Sequence, residues 1–287
     1  MLTYKDKTYD EERALYGVRD AKIERCRFAG PADGESALKE TGGLQISRCD
    51  FLLRYPLWHT DHTAIEDCNM TETCRAALWY DKEIVIKRSV LGGIKAVREC
   101  DDTKIYDSQI HSTEFGWFCR GLTLQNCTLT SEYPFLQTSD LYLENCKMEG
   151  KYSFQYVENA EIRHCVLDTK DAFWHGKHIT VYDSVVKGEY LGWYSENLKF
   201  VRCRIIGTQP LCYAKNLVLE DCEMVDCDLS FENSDVNAEI KGSITSVKNP
   251  MHGQIVADSI EELIMDEHAA ASTCKISTKS ACLKQCG

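Results

Sequence analysis

Along most of the chain one short pattern of apolar and polar positions keeps returning. An apolar or small residue is followed by any residue, then by Ile, Leu, Val or Phe, two polar residues, Cys or Ser, any residue, and usually a further apolar one. It reads LQISRCDF, TAIEDCNM, LTLQNCTL, LYLENCKM, AEIRHCVL, LKFVRCRI and LVLEDCEM. The small residue at its centre is Cys26, Cys49, Cys68, Ser89, Ser108, Cys127, Cys146, Cys165, Ser184, Cys203, Cys222 and, more weakly, Ser243. The intervals are 23, 19 and 21 residues, then 19 seven times, then 21. A fixed period of this length is the mark of a solenoid. The unit alternates like a strand: Leu141 and Leu143 form one apolar pair, Glu144 and Asn145 a polar bend, and Cys146 and Met148 a second pair.

Short strands joined by bends, with no 3.6-residue period, predict an all-β fold: a single-stranded parallel β-helix of about 12 rungs, each stacked about 4.8 Å from the next. Parallel crossovers are right-handed, so the coil is expected to be right-handed. The long first interval holds GPADGES, a turn cluster, and the 21-residue interval lengthens the segment between Met70 and Ala76. The pattern suggests residues 1–20 as an N-terminal cap, 21–248 as the coil, 249–270 as a C-terminal cap and 271–287 as a flexible tail. In the C-terminal part, DSIEELIMDEH places Ile260, Leu263 and Ile264 at helical spacing behind Asp258 as N-cap, which predicts a capping helix.

The chain holds 16 cysteines. Their periodic placement explains most of them as a packing ladder at an inner corner. There Cys acts as a small hydrophobe and Ser can turn its hydroxyl to a backbone carbonyl. Thiols spaced along an axis do not converge on a tetrahedral zinc. The exchange with Ser, and a start (MLTYKDKTYDEERALYG) without an apolar run, argue against disulfides and for a cytoplasmic location.

A second register is aromatic. All five tryptophans, Trp58, Trp79, Trp117, Trp174 and Trp193, lie ten residues before an anchor. Arg98, Leu136, Gln155 and Cys212 take the place elsewhere, so this register is expected to face outward. The preceding residue is always apolar or Gly. One side of the coil then combines rings with ionisable groups. Stacked rings can simply stabilise a solenoid. They can also line a groove for an extended ligand, in which Trp117, Tyr133, Gln137, Tyr152, Tyr156, Trp174, His175, Tyr190, Trp193, Tyr194 and Tyr213 are the candidate contacts.

A net charge of −12 disfavours nucleic acid and anionic membranes, and no apolar run is long enough to span a bilayer. WHTDH at 58–62 and WHGKH at 174–178 lie too far apart along the coil to share a metal. The carboxylates Glu114 and Glu132, and again Asp171 and Glu189, fall in adjacent rungs at nearly matching places, with Lys151 and Lys170 between them. Such pairs suit glycoside hydrolysis or, with a lysine base, a lyase reaction on a polysaccharide; they also suit a plain charged surface. Phosphate loops, nucleotide fingerprints and nucleophile elbows are absent from the sequence, so no cofactor is expected.

With these motifs in view, the stretches DEERALYG, DGESALKE, IKAVREC, EFGWF, EYPF, KYSFQY, DTKDAFWH, GEYLGWYSENL, GTQPLCY and SVKNP, spread over roughly residues 9 to 260, resemble a bacterial family of right-handed parallel β-helix proteins, domain of unknown function 3737. The resemblance implies a pectin-lyase-like fold and brings no catalytic residues with it. The sequence supports two readings: a coil that binds or processes an extended carbohydrate, and a noncatalytic solenoid for a peptide or protein partner. It carries no signal for oligomeric state.

Overall fold

In the computed structural model, which describes residues 1–31, 34–279 and 284–286, the chain winds a parallel β-solenoid of about 14 turns. Two compact units are distinguished, Met1–Lys147 and Met148–Gly287.

In the first unit one line of parallel strands runs from Leu2–Lys5 through Ala21–Glu24, Gln45–Ser47, Asp61–Glu66, Lys82–Lys87, Asp101–Tyr106 and Arg120–Gln125 to Ser139–Glu144. Ile65, Ile86 and Ile105 stack in register and are fully shielded. A second line joins Thr8–Tyr9, Arg27–Phe28, Asp50–Phe51, Asn69–Met70, Val90–Gly92, Gln109–His111 and Thr128–Glu132. A third, of two-residue strands, joins Leu38–Lys39, Leu57–Trp58, Leu78–Trp79 and Val97–Arg98. The second unit repeats the first line in Glu158–Arg163, Lys177–Tyr182, Glu196–Val201 and Leu217–Val225.

Each bend before an anchor is made by a residue at positive φ: Arg48, Asp67, Arg88, Asp107, Asn126 and Asn145 in the first unit, and His164, Asp183, Arg202 and Asp221 in the second. The left-handed conformation is costly for residues other than Gly, Asn and Asp. Cross-turn hydrogen bonds hold it here, such as Asn126 N to Glu144 O at 3.0 Å and Arg202 N to Glu220 O at 2.8 Å. The anchor itself does two jobs. Its thiol or hydroxyl donates to the carbonyl two residues back, as in Ser89 Oγ to Lys87 O (2.8 Å) and Cys146 Sγ to Glu144 O (3.3 Å). It also accepts from the preceding anchor's amide, as in Cys49 N to Cys68 Sγ (3.4 Å), Cys68 N to Ser89 Oγ (3.0 Å) and Cys165 N to Ser184 Oγ (2.9 Å). A buried turn that frees a carbonyl and an amide needs one small group able to give and take a hydrogen bond, and both Cys and Ser supply it.

The C-terminal segment departs from the sequence expectation. Asp258–Ile264 is not a helix. It belongs to the strand His252–Ile264, which pairs in parallel with Asp235–Lys248. The apolar spacing at Ile260, Leu263 and Ile264 fits either conformation, and strand pairing along a 14-residue neighbour decides it. Lys275–Thr278 and Lys284–Cys286 add further parallel strands to His252–Ile264. Of the expected tail, residues 280–283 and 287 lie outside the described residues. Residues 1–20, expected as a cap, carry the first pair of strands. Among the described residues no helix is long and apolar enough to cross a membrane.

Candidate functional site

The aromatic register separates into three adjacent lines. The residue before each position of the tryptophan register, such as Leu57, Val97, Phe135, Phe173 and Leu211, is buried. The tryptophans are half-buried rather than fully outside. The following residue, exposed at Tyr80, Phe118, Gln137, Tyr156 and Tyr194 and half-buried at Glu99, His175 and Tyr213, sits at positive φ in every turn. A bulky residue in this conformation carries strain that the surrounding bonds must hold in place. Here Tyr156 N and His175 N donate to the carbonyls of Trp174 and Trp193 at 2.9 and 3.0 Å.

In the second unit this outer line forms a continuous ladder. Ring centroids are 4.9 Å apart from Tyr156 to His175, 5.2 Å from His175 to Tyr194 and 4.9 Å from Tyr194 to Tyr213, with planes within 13° of parallel. Tyr156 is 50% and Tyr194 47% exposed. Neighbours cover the faces of the inner rings, so the ladder offers edges, phenol hydroxyls and an imidazole at one per turn. Beside it Trp174 and Trp193 stack at 5.5 Å, and Tyr190 meets Trp193 edge-on at 5.4 Å. Their Nε1 groups donate to the carbonyls of Tyr190 (2.7 Å) and Gln209 (2.8 Å). Tyr152, half-buried, lies under the Lys151 ammonium at 5.7 Å.

The first unit has a shorter version of the same arrangement. Trp58 stacks on Trp79 at 5.2 Å and His59 on Tyr80 at 5.2 Å. Trp117 Nε1 donates to Tyr133 O at 2.6 Å, Tyr133 is 39% exposed, and Gln137 is exposed without belonging to a ring ladder. His62 turns to Asp61 and Glu83, away from the ring pair that holds His59, so the WHTDH histidines do not converge.

The expected carboxylate pairs are offset along the coil. Glu114 and Glu132, like Asp171 and Glu189, are 18 residues apart, while a turn takes 19. They are therefore one position out of register, with Glu114 and Asp171 at corners of positive φ. Glu114 N and Asp171 N instead donate to the backbone carbonyls of Glu132 and Glu189, each at 2.8 Å. The Glu114 carboxylate pairs with Lys95 at 3.0 Å. Lys170, 19 residues from Glu189, takes that carboxylate at 3.3 Å on the surface. Asp171 is 7% exposed; burial raises its carboxyl above the usual range, Lys170 opposes the shift and Glu189 adds to it.

Sequence reasoning placed Arg98 in the tryptophan register but missed Arg75 and Lys95 beside it. Tyr55, Arg75, Trp79, Lys95 and Arg98 surround a small cavity of about 60 Å³. The signal was the lengthened turn after Met70 together with two tryptophans in register, Trp58 and Trp79. A larger depression of about 390 Å³, lined by Lys22, Glu24, Gln45 and Arg48 among others, lies on the sheet face. Arg25 and Arg48 already occupy the Glu24 carboxylate there.

Compared with known protein families, residues 2–277 match the family described as "Protein of unknown function (DUF3737)". The chain belongs to that family. No curated protein matches this DUF3737 chain in sequence. Among solved structures it is similar to the A-module of mannuronan C-5 epimerase AlgE4 from Azotobacter vinelandii, at 8% identity, TM-score 0.36, over 83% of this chain and 87% of that one. It is also similar to the periplasmic alginate epimerase AlgG, at 9% identity, TM-score 0.30, over 91% and 74%. The fluoroquinolone resistance protein QnrB1 gives 13% identity and TM-score 0.20 over 78% and 89%. At these scores the similarities transfer no function to the DUF3737 chain.

Proposed function

We propose that this protein binds an extended carbohydrate along the outer ring ladder of Tyr156, His175, Tyr194 and Tyr213, in which Tyr156 and Tyr194 are exposed. The observation that carries this reading is the ladder's periodicity: one outward hydrogen-bonding edge per turn, at 4.9–5.2 Å, on a rigid coil. A polymer that repeats one chemical unit over a similar step meets the same group at each turn. Tyr and His edges bond sugar hydroxyls as donors and acceptors, and the rigid backbone limits the entropy lost on binding. Binding is better supported than processing. Glu189 is engaged by Lys170 and Asp171 is buried, so a lyase or hydrolase reading of Glu114, Glu132, Lys151, Lys170, Asp171 and Glu189 rests on residue type alone.

The covered ring faces favour a second reading, a protein partner. Sugar rings are commonly held against an open aromatic face, whereas Tyr edges serve protein recognition well. A glycan array probed with the wild type and with a Tyr156→Ala/Tyr194→Ala variant separates the two. Binding to neutral or acidic oligosaccharides that falls about tenfold or more in the variant supports the carbohydrate reading. An array without signal, together with a protein partner whose binding the variant abolishes, overturns it.

A further inference from the structure

We propose that Arg75, Lys95 and Arg98, around Tyr55 and Trp79 in the first unit, form a subsite for one compact oxyanion carried by the ligand, a carboxylate or a phosphate group. This deepens the carbohydrate reading, on which it rests for the identity of the ligand, by giving that ligand a charge.

The cavity lies just after the lengthened segment. Tyr55, Ala76 and Lys95 occupy one place in three successive turns, linked by the backbone bonds Tyr55 N to Arg75 O (2.9 Å) and Ala76 N to Ile94 O (2.9 Å). The two extra residues of this turn fall in Thr71–Cys74, where Glu72 and Thr73 are exposed and Cys74 is fully buried before Arg75. The following turn fits beneath them because it is glycine there. A Cβ on Gly92 would come 2.7 Å from Met70 O, and Gly93, at φ +80, would bring one 2.9 Å from Cys74 O.

Three residues with cationic side chains then line a single space in a protein of net charge −12. Lys95 is held by Glu114 at 3.0 Å and lies over the Trp117 ring at 5.5 Å. Arg98 is held by Glu99 at 2.8 Å and spans the rings of Trp79 and Phe118. These partners fix both cations in position. Arg75 is exposed and its guanidinium has no carboxylate partner among the described residues. A guanidinium with a free planar fork beside two oriented cations is suited to a bidentate oxyanion. The volume, about 60 Å³, admits a few waters or one such group, and excludes a whole sugar ring. Both faces of Trp79 are covered, by Trp58 and by Arg98, so the cavity recognises charge rather than a ring face.

The test is isothermal titration of the full chain with a galacturonate trimer, its methyl-esterified neutral counterpart, and inorganic phosphate. Four proteins are compared: wild type, Arg75→Gln, Arg75→Lys and, as a control outside the cavity, Arg120→Gln. All are exposed positions, and circular dichroism confirms folding. The expected result is saturable binding of the trimer or of phosphate that weakens about tenfold in Arg75→Gln, recovers in part in Arg75→Lys and is unchanged in Arg120→Gln. Trimer binding that the ester loses assigns the group to a carboxylate; phosphate binding alone assigns it to a phosphate and counts against the carbohydrate reading. If Arg75→Gln binds every probe as the wild type does, the subsite is overturned, and the ladder reading still stands if the trimer and its ester bind equally. If neither the trimer nor phosphate binds, the subsite is overturned as well.

Discussion

Trp174 and Trp193 lie ring on ring, 5.5 Å apart and 3° from parallel, and each indole nitrogen reaches the carbonyl 16 residues ahead. The pair ties three successive turns together at the foot of the outer ladder. Trp193→Ala removes a half-buried ring and a hydrogen bond, and should cost about 2–3 kcal/mol in urea unfolding. Trp193→Phe keeps most of the ring and should cost about 1 kcal/mol. Equal costs for the two would show that the indole nitrogen contributes nothing.

The anchor thiols should behave as reduced, shielded groups. Cys127 and Cys146 are 1% and 2% exposed, and the neighbouring Cys146 thiol, together with burial, holds Cys127 above the usual thiol range. Native labelling with a thiol reagent should be slow at every anchor and become fast on unfolding. Cys146→Ser should stay within about 1 kcal/mol of wild type, because serine can make both of the anchor's bonds. Cys146→Val leaves the Glu144 carbonyl uncapped and should cost about 1–3 kcal/mol. Rapid labelling of Cys146 in the folded protein would contradict this role.

Asp81 gives a pH signature. It is fully buried in a register otherwise held by Thr41, Thr60, Cys100, Cys119 and Thr138. Thr60 N donates to Oδ1 at 2.7 Å, while Oδ2 has no partner among the described residues. Desolvation first, and then the neighbouring Cys100, raise its carboxyl well above the usual range. The folded state therefore holds the proton more tightly than the unfolded chain. Its contribution is complete below the ordinary carboxylate range and is lost as pH rises toward the folded value. Asp81→Thr should remove that slope and stabilise the protein at pH 7 by about 1–3 kcal/mol. Thermal unfolding of both proteins from pH 4 to pH 8 reads the difference, and parallel curves would refute it.

Gly207 sits directly over Gly188. A Cβ on Gly207 would lie 2.2 Å from Gly188 O, at φ +127. Gly207→Ala should destabilise the second unit by more than about 2 kcal/mol, seen as a lower urea midpoint. A neutral result would mean that the turn relaxes at no cost.

The winding was legible because a buried corner repeats its chemistry: a small donor–acceptor at Cys127 or Ser108 marks every turn. The corners themselves were not. Tyr156, Phe173 and Leu211 take positive φ without the Gly or Asn that would announce it, because cross-turn bonds, not local preference, impose the conformation. The aromatic side was legible as a register, but which of its lines faces water depends on those same corners. The carboxylates were legible as near neighbours and their offset was countable: Asp171 and Glu189 stand one residue short of a full turn, and Glu189 still acts on the Asp171 carboxyl. The cation-lined cavity was hidden because Arg75 and Lys95, which line it, fall outside the periodic pattern of anchors and rings.

The turns of odd length carry a consequence for how the chain assembles. Where every winding takes 19 residues, a segment displaced by one whole winding would still meet a suitable corner, carbonyl and amide at each step. Such a slip is nearly degenerate in local bonding. The insertions before Ala37 and at Thr71–Cys74 break that degeneracy, since a slipped chain would leave their extra residues with nowhere to go. Their unequal lengths distinguish the windings that hold them from the otherwise identical ones around them.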